Sequence, residues 1–417
     1  WYASSKAKTI IRDSGLDNFN YSITAEDYIF GFEIFKQASS QLDCIKEMKA
    51  TDEYTLEINL SKKDYDLLYK LASLTFYPCN KDFYEAMGES YGTSSDTILY
   101  NGPYFIEESA ESEIIISRNP RYNGNIQIKT KQVHIYTSLD KATQLKQFKD
   151  GLLNLYISDC TTDEIKGAVQ AKPSLDTLWG IAFNCKSKLG SSKAFREVLF
   201  SSISAPYEIP LPAFAFERTK SIFPATYTVG DTVFSDFAYE PVLYEQNTEK
   251  AQNNLKSLQT KYKVKSYSVI FAVPYDMKAV AEKIIEDWTS LFGEKIKIQL
   301  SLYNKETASV VAQEANYDLA IIPITTSTKT ATSIFNTISD APCYFDDNAL
   351  HTLGKSIGTI ASDNFNIYSQ AEKHLISNSV FIPLFTTGKA LYIDDNFKGI
   401  YLANSGNCVY FHSGEEI

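Results

Sequence analysis

Side chains able to perform acid–base or nucleophilic chemistry are few and scattered in this sequence. Its four histidines are His134, His351, His374 and His412, far apart along the chain. No G-x-S-x-G elbow, phosphate-binding loop, G-x-G-x-x-G or H-E-x-x-H motif occurs. The acidic pairs Asp346-Asp347 and Asp394-Asp395 lie in polar stretches that lack the spacing of a calcium loop. The sequence therefore predicts a protein that is not an enzyme, although a Ser/Asp/His triad assembled from distant segments stays open.

The spacing of potential metal ligands gives no support for a metal or cofactor site. The six cysteines form no C-x-x-C pair and have no histidine nearby at zinc-ligand spacing. They are Cys44, Cys79, Cys160, Cys185, Cys343 and Cys408. We predict no metal and no cofactor, and interpret the cysteines as isolated buried thiols. One or two disulfides are the alternative for an exported protein.

Length, charge and aromatic content limit the class of protein. The 417 residues are 44% hydrophobic, which is enough for two sizeable cores and predicts two lobes. The net charge of −11 argues against a nucleic-acid partner, because phosphates require a basic face. No apolar run approaches the ~18 residues that cross a membrane. The 28 Tyr and 25 Phe indicate either a coding bias or an aromatic-lined ligand cleft, and composition does not decide between them.

Helices and strands alternate in the first half of the chain. The segment Ile23-Thr24-Ala25-Glu26-Asp27 predicts the start of a helix that reaches Ser39, with Thr24 as its N-cap. Tyr104–Ile106 and Ile114–Ile116 predict a hairpin. Other strands are predicted at residues 8–12, 55–60, 133–137, 152–157 and 180–184, and other helices at residues 65–73, 141–150 and 193–204.

The second half predicts a succession of β-α-β units, which is typical of a parallel sheet covered by helices. The strands are predicted at residues 266–272, 296–302, 317–322 and 380–385, and the helices at residues 250–262, 277–292, 305–314 and 368–378. Between the halves, residues 207–239 are rich in Pro, Phe and Tyr. They predict a connector without regular structure.

Several segments carry short motifs in a fixed order. They are Ile23-Thr24-Ala25-Glu26-Asp27, Asn101-Gly102-Pro103-Tyr104, Arg118-Asn119-Pro120-Arg121-Tyr122, Asn184 with Phe195-Arg196, and Ile382-Pro383-Leu384. Together they resemble motifs of the extracellular solute-binding proteins of the peptide/nickel ABC-importer family (family 5, oligopeptide- or dipeptide-binding type). The resemblance covers most of the chain, from about Arg12 to Phe411.

The chain also departs from this family's pattern. Ser204-Ala205 stands where the family has an Asp-Arg pair. The family carries a further stretch before the Thr24 helix, so we expect this chain to be N-terminally incomplete relative to the family. The chain opens on Trp1 rather than Met, which indicates a processed or trimmed sequence.

The resemblance implies an α/β, two-lobed, periplasmic-binding-protein-like fold of type II, with a hinge, an interlobe cleft and an accessory subdomain. Residues 1–100 would form the partial accessory part of lobe one, and residues 101–205 lobe one itself. Residues 206–381 would form lobe two, and residues 382–417 would return to lobe one. The hinge is expected at the crossings near Ser204 and Pro383.

The resemblance also implies a function. The protein would capture oligopeptides or a related small solute by hinge closure and deliver it to the membrane subunits of an ABC permease. It would act outside the cell or in the periplasm, with membrane contact only through a lipid anchor outside the sequence shown. The alternatives are a sensor or interaction module of the same fold that does not transport, and a binder of a sugar or a metal chelate.

Candidate ligand contacts follow from the same resemblance. Peptide-binding relatives carry an Asp in the loop after the lobe-two strand, where it pairs with the peptide's ammonium. The corresponding segment, residues 323–333, holds hydroxyls and Lys329 but no carboxylate, with Thr330 nearest the family's Asp. It is expected to suit a neutral or anionic group, unless another acid such as Asp340 takes over. The predicted ligand-binding residues are Asn184, Thr325, Thr326, Ser327, Thr330 and Phe385.

Overall fold

The computed structural model describes residues 21–35, 44–61, 64, 67–71, 76–159, 168–170, 174–203, 209–224, 226–230, 232–237, 246–326, 330–358, 360–402 and 409–417. The predicted strand at residues 8–12, the predicted end of the first helix beyond Phe35, Ser204-Ala205 and Ser327 lie outside these residues.

The first part of the chain forms small antiparallel units. Its elements are α1 (Ala25–Phe35), β1 (Ile45–Asp52), β2 (Thr55–Leu60), α2 (Leu67–Leu71), α3 (Lys81–Met87), β3 (Tyr104–Ser109), β4 (Glu113–Arg118) and β5 (Gln132–Tyr136). Strands β1 and β2 pair as a hairpin, and β3, β4 and β5 form a three-stranded sheet. The predicted cap of α1 is confirmed, because the Thr24 hydroxyl accepts from the backbone N–H of Asp27 at 3.4 Å. In return, the backbone N–H of Thr24 donates to Asp27 Oδ2 at 2.8 Å.

The remainder of the chain builds one large mixed sheet and its covering helices. The elements are α4 (Lys141–Lys149), β6 (Leu155–Ser158), β7 (Ala168–Gln170), β8 (Ser174–Phe183), α5 (Lys193–Phe200), β9 (Glu217–Arg218), β10 (Thr228–Val229), β11 (Thr232–Val233), α6 (Thr248–Tyr262), β12 (Tyr267–Pro274), α7 (Lys278–Phe292), β13 (Ile296–Tyr303), α8 (Ala308–Glu314), β14 (Leu319–Thr325), α9 (Ala331–Ser339), α10 (Asn348–Ser356), α11 (Ala361–Ser377), β15 (Phe381–Asp394), β16 (Phe397–Lys398), β17 (Tyr401–Leu402), β18 (Val409–Tyr410) and β19 (Glu415–Glu416).

Within the described residues, the large sheet has eight strands in the order β13-β12-β14-β8-β15-β6, with β7 and β9 also paired to β15. Strand β12 runs parallel to β13 and β14, which confirms the parallel pairing predicted for the second half. Strand β8 is antiparallel to both β14 and β15. The sheet is therefore mixed, with its parallel strands on one side.

Alternating side chains of the central strands bury two cores on opposite faces of this sheet. Helices α5, α6 and α7 cover the front core, where Ile181 meets Ile321 and Trp288. Helices α9, α10 and α11 cover the back core, where Ala182 meets Ile322. This α/β/α layering explains why the strands predicted at residues 266–272 and 317–322 are almost continuously apolar.

The segment at residues 323–333 differs from the sequence-based expectation of a loop. Strand β14 continues through Thr325, and α9 begins at Ala331. Thr330 caps α9, because its hydroxyl accepts from the backbone N–H of Ser333 at 3.2 Å. The sequence analysis predicted no helix at the positions of α9 and α10. It predicted the start of α11 at Tyr368, whereas this helix begins at Ala361.

Gly180, in β8, sits at a close approach between strands. A Cβ there would lie 2.2 Å from a ring carbon of Phe381 and 2.6 Å from the carbonyl oxygen of Ile382. We expect Gly180→Ala to lower the free energy of unfolding by about 1–3 kcal/mol through overpacking. Urea unfolding measures this loss. Gly358→Ala is the control, since nothing lies within 4 Å of its added Cβ, and equal stability of the two variants would contradict the close approach.

The cysteines among the described residues are free thiols, which agrees with their interpretation as isolated thiols. Cys44, Cys79 and Cys343 are buried, and Cys185 is half-buried. Burial raises the pKa of the Cys44 thiol to about 11. Among the helices that the structure describes, none is long and apolar enough to cross a membrane.

Candidate functional site

Two long strands connect the central cores to a further core. Strands β8 and β15 pair with each other from Phe381↔Ala182 to Lys389↔Ser174. Beyond this point β15 pairs with β6, and Ala390 and Tyr392 join Phe148 and Tyr156 in the further core. We call the region where β8 and β15 pass between these cores the waist.

The parallel strands end at the waist. Strands β12, β13 and β14 finish at Pro274, Tyr303 and Thr325. Pro274 pairs with Tyr303, and the parallel register of β12 with β14 carries Thr325 about three residues further at the same edge of the sheet. Crevices beyond the carboxyl ends of parallel strands are where open α/β sheets bind ligands. The waist is therefore the candidate site.

A row of three threonines crosses the sheet at this level. Thr177 lies opposite Thr325 on one neighbouring strand and opposite Thr387 on the other. The hydroxyl oxygens of Thr177 and Thr325 are 3.1 Å apart. Thr325 is exposed, and Thr177 and Thr387 are half-buried. We call this set the threonine row.

An aromatic layer closes the front core beside the threonine row. The Trp179 indole N–H donates to the Thr387 hydroxyl at 3.0 Å. Its ring stacks on Phe385 at 5.9 Å and packs against Phe214 at 5.7 Å. The Lys305 ammonium lies 5.3 Å from the centre of the Phe214 ring and 3.2 Å from the Asp276 carboxylate. Buried aromatic rings, hydroxyls and a neutralised charge pair thus meet at the waist.

The proline-rich connector, which contributes Phe214 to the aromatic layer, also contacts β15 and β8 beside the waist. Phe216 donates its N–H to the carbonyl oxygen of Thr386, and Thr226 donates its hydroxyl to that of Leu175. Glu217 lies opposite Thr386 in the β9–β15 pair, and partial burial raises the pKa of its carboxyl. The connector contains short strands, where the sequence predicted no regular structure.

The family model described as bacterial extracellular solute-binding proteins, family 5 Middle, matches residues 21–344. The chain belongs to this family. It is 26% identical over 112 residues to the oligopeptide-binding protein SarA of Streptococcus gordonii, a match covering 26% of this chain and 17% of that protein. It is 27% identical over 131 residues to the dipeptide-binding protein of Lactococcus lactis, covering 30% and 24% of the two chains. These matches thus span no more than about a quarter of the curated relatives' length.

The fold agrees with this membership. The substrate-binding domain of an oligopeptide ABC transporter from Bacillus anthracis superposes with a TM-score of 0.68 at 17% identity, covering 96% of this chain and 85% of that one. The protein described by the present sequence therefore has the two-lobed type II fold that its resemblance to the family implied. Proteins of the family are binding proteins of the extracellular or periplasmic space.

Of the predicted ligand contacts, Thr325 and Thr326 lie at the waist of this family-5 protein. The hydroxyls of Thr326 and Tyr227 are 3.2 Å apart. Thr330 is buried as the cap of α9, and Ser327 lies outside the described residues. Thr330 and Asp340 cap opposite ends of α9. At a rise of about 1.5 Å per residue, they lie roughly 15 Å apart. Asp340 is therefore badly placed to replace an acid at Thr330.

The structure does not bring Asn184 and Phe385 to the surface of the waist. Asn184 lies at the far end of β8, where its amide donates to the carbonyl oxygens of Ala315 and Tyr317, both at 2.9 Å. Phe385 is 2% exposed and packs in the front core. Both serve packing in this fold, and their roles as ligand contacts stay predictions.

Sequence reasoning missed Thr177, Trp179, Phe214, Lys305 and Thr387. Lys305 lies two residues after the end of β13, and residues after parallel strands are a usable signal for a site. The strand residues carry no such signal, since their meeting depends on register between distant segments.

A separate cavity of about 340 Å³ lies in the first part of the chain. Its walls come from α1, the β1–β2 hairpin, Leu71 and Phe76. They are mainly apolar, and the Thr24 hydroxyl at its edge already donates to Asp27. Because polar groups do not converge there, the waist is the better candidate site.

Proposed function

We propose that this family-5 protein is the solute-capturing component of an ABC importer and that it binds oligopeptides or a related small solute at the waist. The supporting observation is that β15 runs from the front core, where it pairs with β8, into the further core, where it pairs with β6, with hydroxyls and aromatic rings at the level between them. Relatives named oligopeptide-binding and dipeptide-binding proteins support a peptide as the solute.

The proposed mechanism is closure of two lobes around the solute. A ligand that contacts both lobes favours the closed state by its differential affinity. We place the lobe boundaries within β8 near Thr177 and within β15 near Thr387. The packing of α5 against α6 and α7 in the front core supports this placement over a boundary at residue 205.

Delivery to permease subunits, binding without catalysis and attachment through a lipid anchor outside the sequence shown complete the proposal. The family supports them, because its members are extracellular solute-binding proteins. Mixing the protein with vesicles containing the membrane and ATPase subunits of an oligopeptide ABC importer, with and without bound peptide, tests delivery. Peptide-dependent stimulation of the permease's ATPase activity is expected.

Peptide binding is tested by a thermal melt in a tryptic digest of casein, followed by mass spectrometry of retained peptides. A ligand at about a hundred times its Kd is expected to stabilise the protein by about 2.7 kcal/mol. Maltose and nickel-histidine chelate are run beside it. If one of these solutes stabilises the protein and peptides do not, the proposed ligand becomes a sugar or a metal chelate instead of a peptide. A folded protein stabilised by none would contradict the transport proposal.

A further inference from the structure

The threonine row is a built feature of the sheet rather than a chance cluster. Residues directly opposite each other in neighbouring strands project from the same face. The pairs Thr325↔Thr177 and Thr177↔Thr387 therefore place three hydroxyl-bearing side chains side by side. The Trp179 indole and the contact between Thr177 and Thr325 orient these hydroxyls.

The position of the row sets it apart from both cores. In the preceding layer on this face, Trp179 and Phe385 belong to the front core, and Pro323 lies opposite Trp179. Four residues beyond Thr387 on the same face, Leu391 is fully buried in another apolar cluster, with Ile393 and Leu402. The row is thus the polar level between two apolar levels, where a solute held between the lobes would lie.

The hydroxyl is a versatile hydrogen-bonding group, since each one donates once and accepts twice. Thr387 accepts from Trp179, which leaves its own O–H to be donated. A row of such groups along the sheet matches a chain of alternating donors and acceptors, such as peptide amides. Hydroxyls can also form hydrogen bonds with the uncharged amides of a ligand, and no charged side chain has to lose its hydration for this.

Charges near the row do not favour a cation. On one side Asp276 is held by Lys305 at 3.2 Å. On the other side Asp159 is held by both Lys389 and Lys141. On β9, Arg218 lies opposite Phe385 on the face of the row. Glu217, in contrast, lies opposite Thr386 on the other face. The groups on the face of the row therefore sum to a positive charge, and Asp276 and Asp159 already have partners. A desolvated ammonium placed on the row would gain little from them.

We propose that the threonine row is the selective surface of the cleft, and that it takes the uncharged amide groups of a peptide whose amino terminus is blocked in preference to a free ammonium. This rests on the proposed function and specifies its ligand class. The row contacts the ligand through hydroxyls, so removing one of them weakens binding. In Thr387→Val the Trp179 N–H also loses its acceptor, so the stability of each variant is measured beside its peptide retention.

The probe is a mixture of pentapeptides made of Ala, Ser, Leu and Phe with amidated carboxyl termini, prepared with free and with acetylated amino termini. The protein is mixed with each, and peptides retained on an ultrafiltration membrane are quantified by mass spectrometry. We expect the acetylated mixture to be retained better. Thr177→Val and Thr387→Val are each expected to lower its retention about 5- to 10-fold, the loss of roughly one hydrogen bond.

Matched variants separate binding from folding. Thr51→Val, on the exposed face of β1, also replaces a strand threonine and is expected to bind like the wild type. Thr387→Ser keeps the hydroxyl and is expected to retain the acetylated mixture. If a valine variant fails to fold, peptide retention is compared between Thr387→Ser, which keeps the hydroxyl, and Thr387→Ala, which lacks it.

The outcomes separate the two proposals. Better retention of the free-amine mixture overturns the selectivity of the row and leaves the transport proposal standing. Retention by the valine variants equal to the wild type also overturns it. Retention of neither mixture, when the casein digest does stabilise the protein, overturns the row as an amide-binding surface. Failure of both experiments overturns the transport proposal itself.

Discussion

Replacing Trp179 with alanine is expected to lower the free energy of unfolding by about 3–5 kcal/mol, as for other buried aromatic residues. The side chain is 5% exposed and packs between Phe385 and Phe214. The substitution leaves a cavity at the end of the front core and removes the donor to Thr387. Urea unfolding followed by far-ultraviolet circular dichroism measures the change.

Trp179→Phe is the control for this result. Phenylalanine keeps an aromatic ring against Phe385 but loses the N–H donated to Thr387, so a smaller loss of about 1–2 kcal/mol is expected. The alanine variant is also expected to lose peptide binding, because the threonine row loses its support. A loss below 1 kcal/mol for Trp179→Ala would show that the aromatic layer does not stabilise the waist.

Arg196→Ala is expected to cost about 2–4 kcal/mol of unfolding free energy, because a buried donor serves more than one carbonyl. Arg196 is 4% exposed. It donates from Nη1 to the Gly190 carbonyl oxygen at 2.6 Å and from Nη2 to that of Asn378 at 3.0 Å. The side chain thereby ties the start of α5 to the end of α11, on the two sides of the sheet. Denaturant unfolding again provides the measurement.

The matched variant Arg196→Lys keeps the charge but loses the planar fork of donors. It is expected to fall between the wild type and Arg196→Ala. Peptide binding at the waist is expected to survive in whatever fraction is folded, because Arg196 lies at the opposite end of β8. A change within 0.5 kcal/mol for Arg196→Ala would mean that α5 and α11 are held by apolar packing alone.

The strongly periodic part of the chain was predictable. Helix α7 was expected at residues 277–292 and spans Lys278–Phe292, and β13 was expected at residues 296–302 and spans Ile296–Tyr303. Their apolar positions repeat with the period of the element, so local sequence and burial agree. The same agreement made the β-α-β units and the parallel pairing of β12 with β13 predictable.

Less periodic segments were predicted poorly. Helix α9 begins at Ala331 in a run of Thr, Ser and Ala that sequence reasoning interpreted as a loop. Hydroxyl-bearing residues have modest helix propensity and favour caps and turns. Here Thr330 caps the helix and Ile334, Phe335 and Ile338 bury one side of it in the back core. Tertiary packing stabilises a helix that local propensity does not specify.

The sequence by itself determined the α/β alternation, the presence of two or more cores, the family motifs and the lack of catalytic motifs, because these depend on local composition and spacing. Only the tertiary structure decided the waist and the threonine row. Thr177, Thr325 and Thr387 are far apart in the chain, and they meet because the apolar layers of β8, β14 and β15 fix the register. A shift of one residue would turn each threonine to the other face of the sheet. Register between distant strands is a property of the packed core, and no local pattern encodes it.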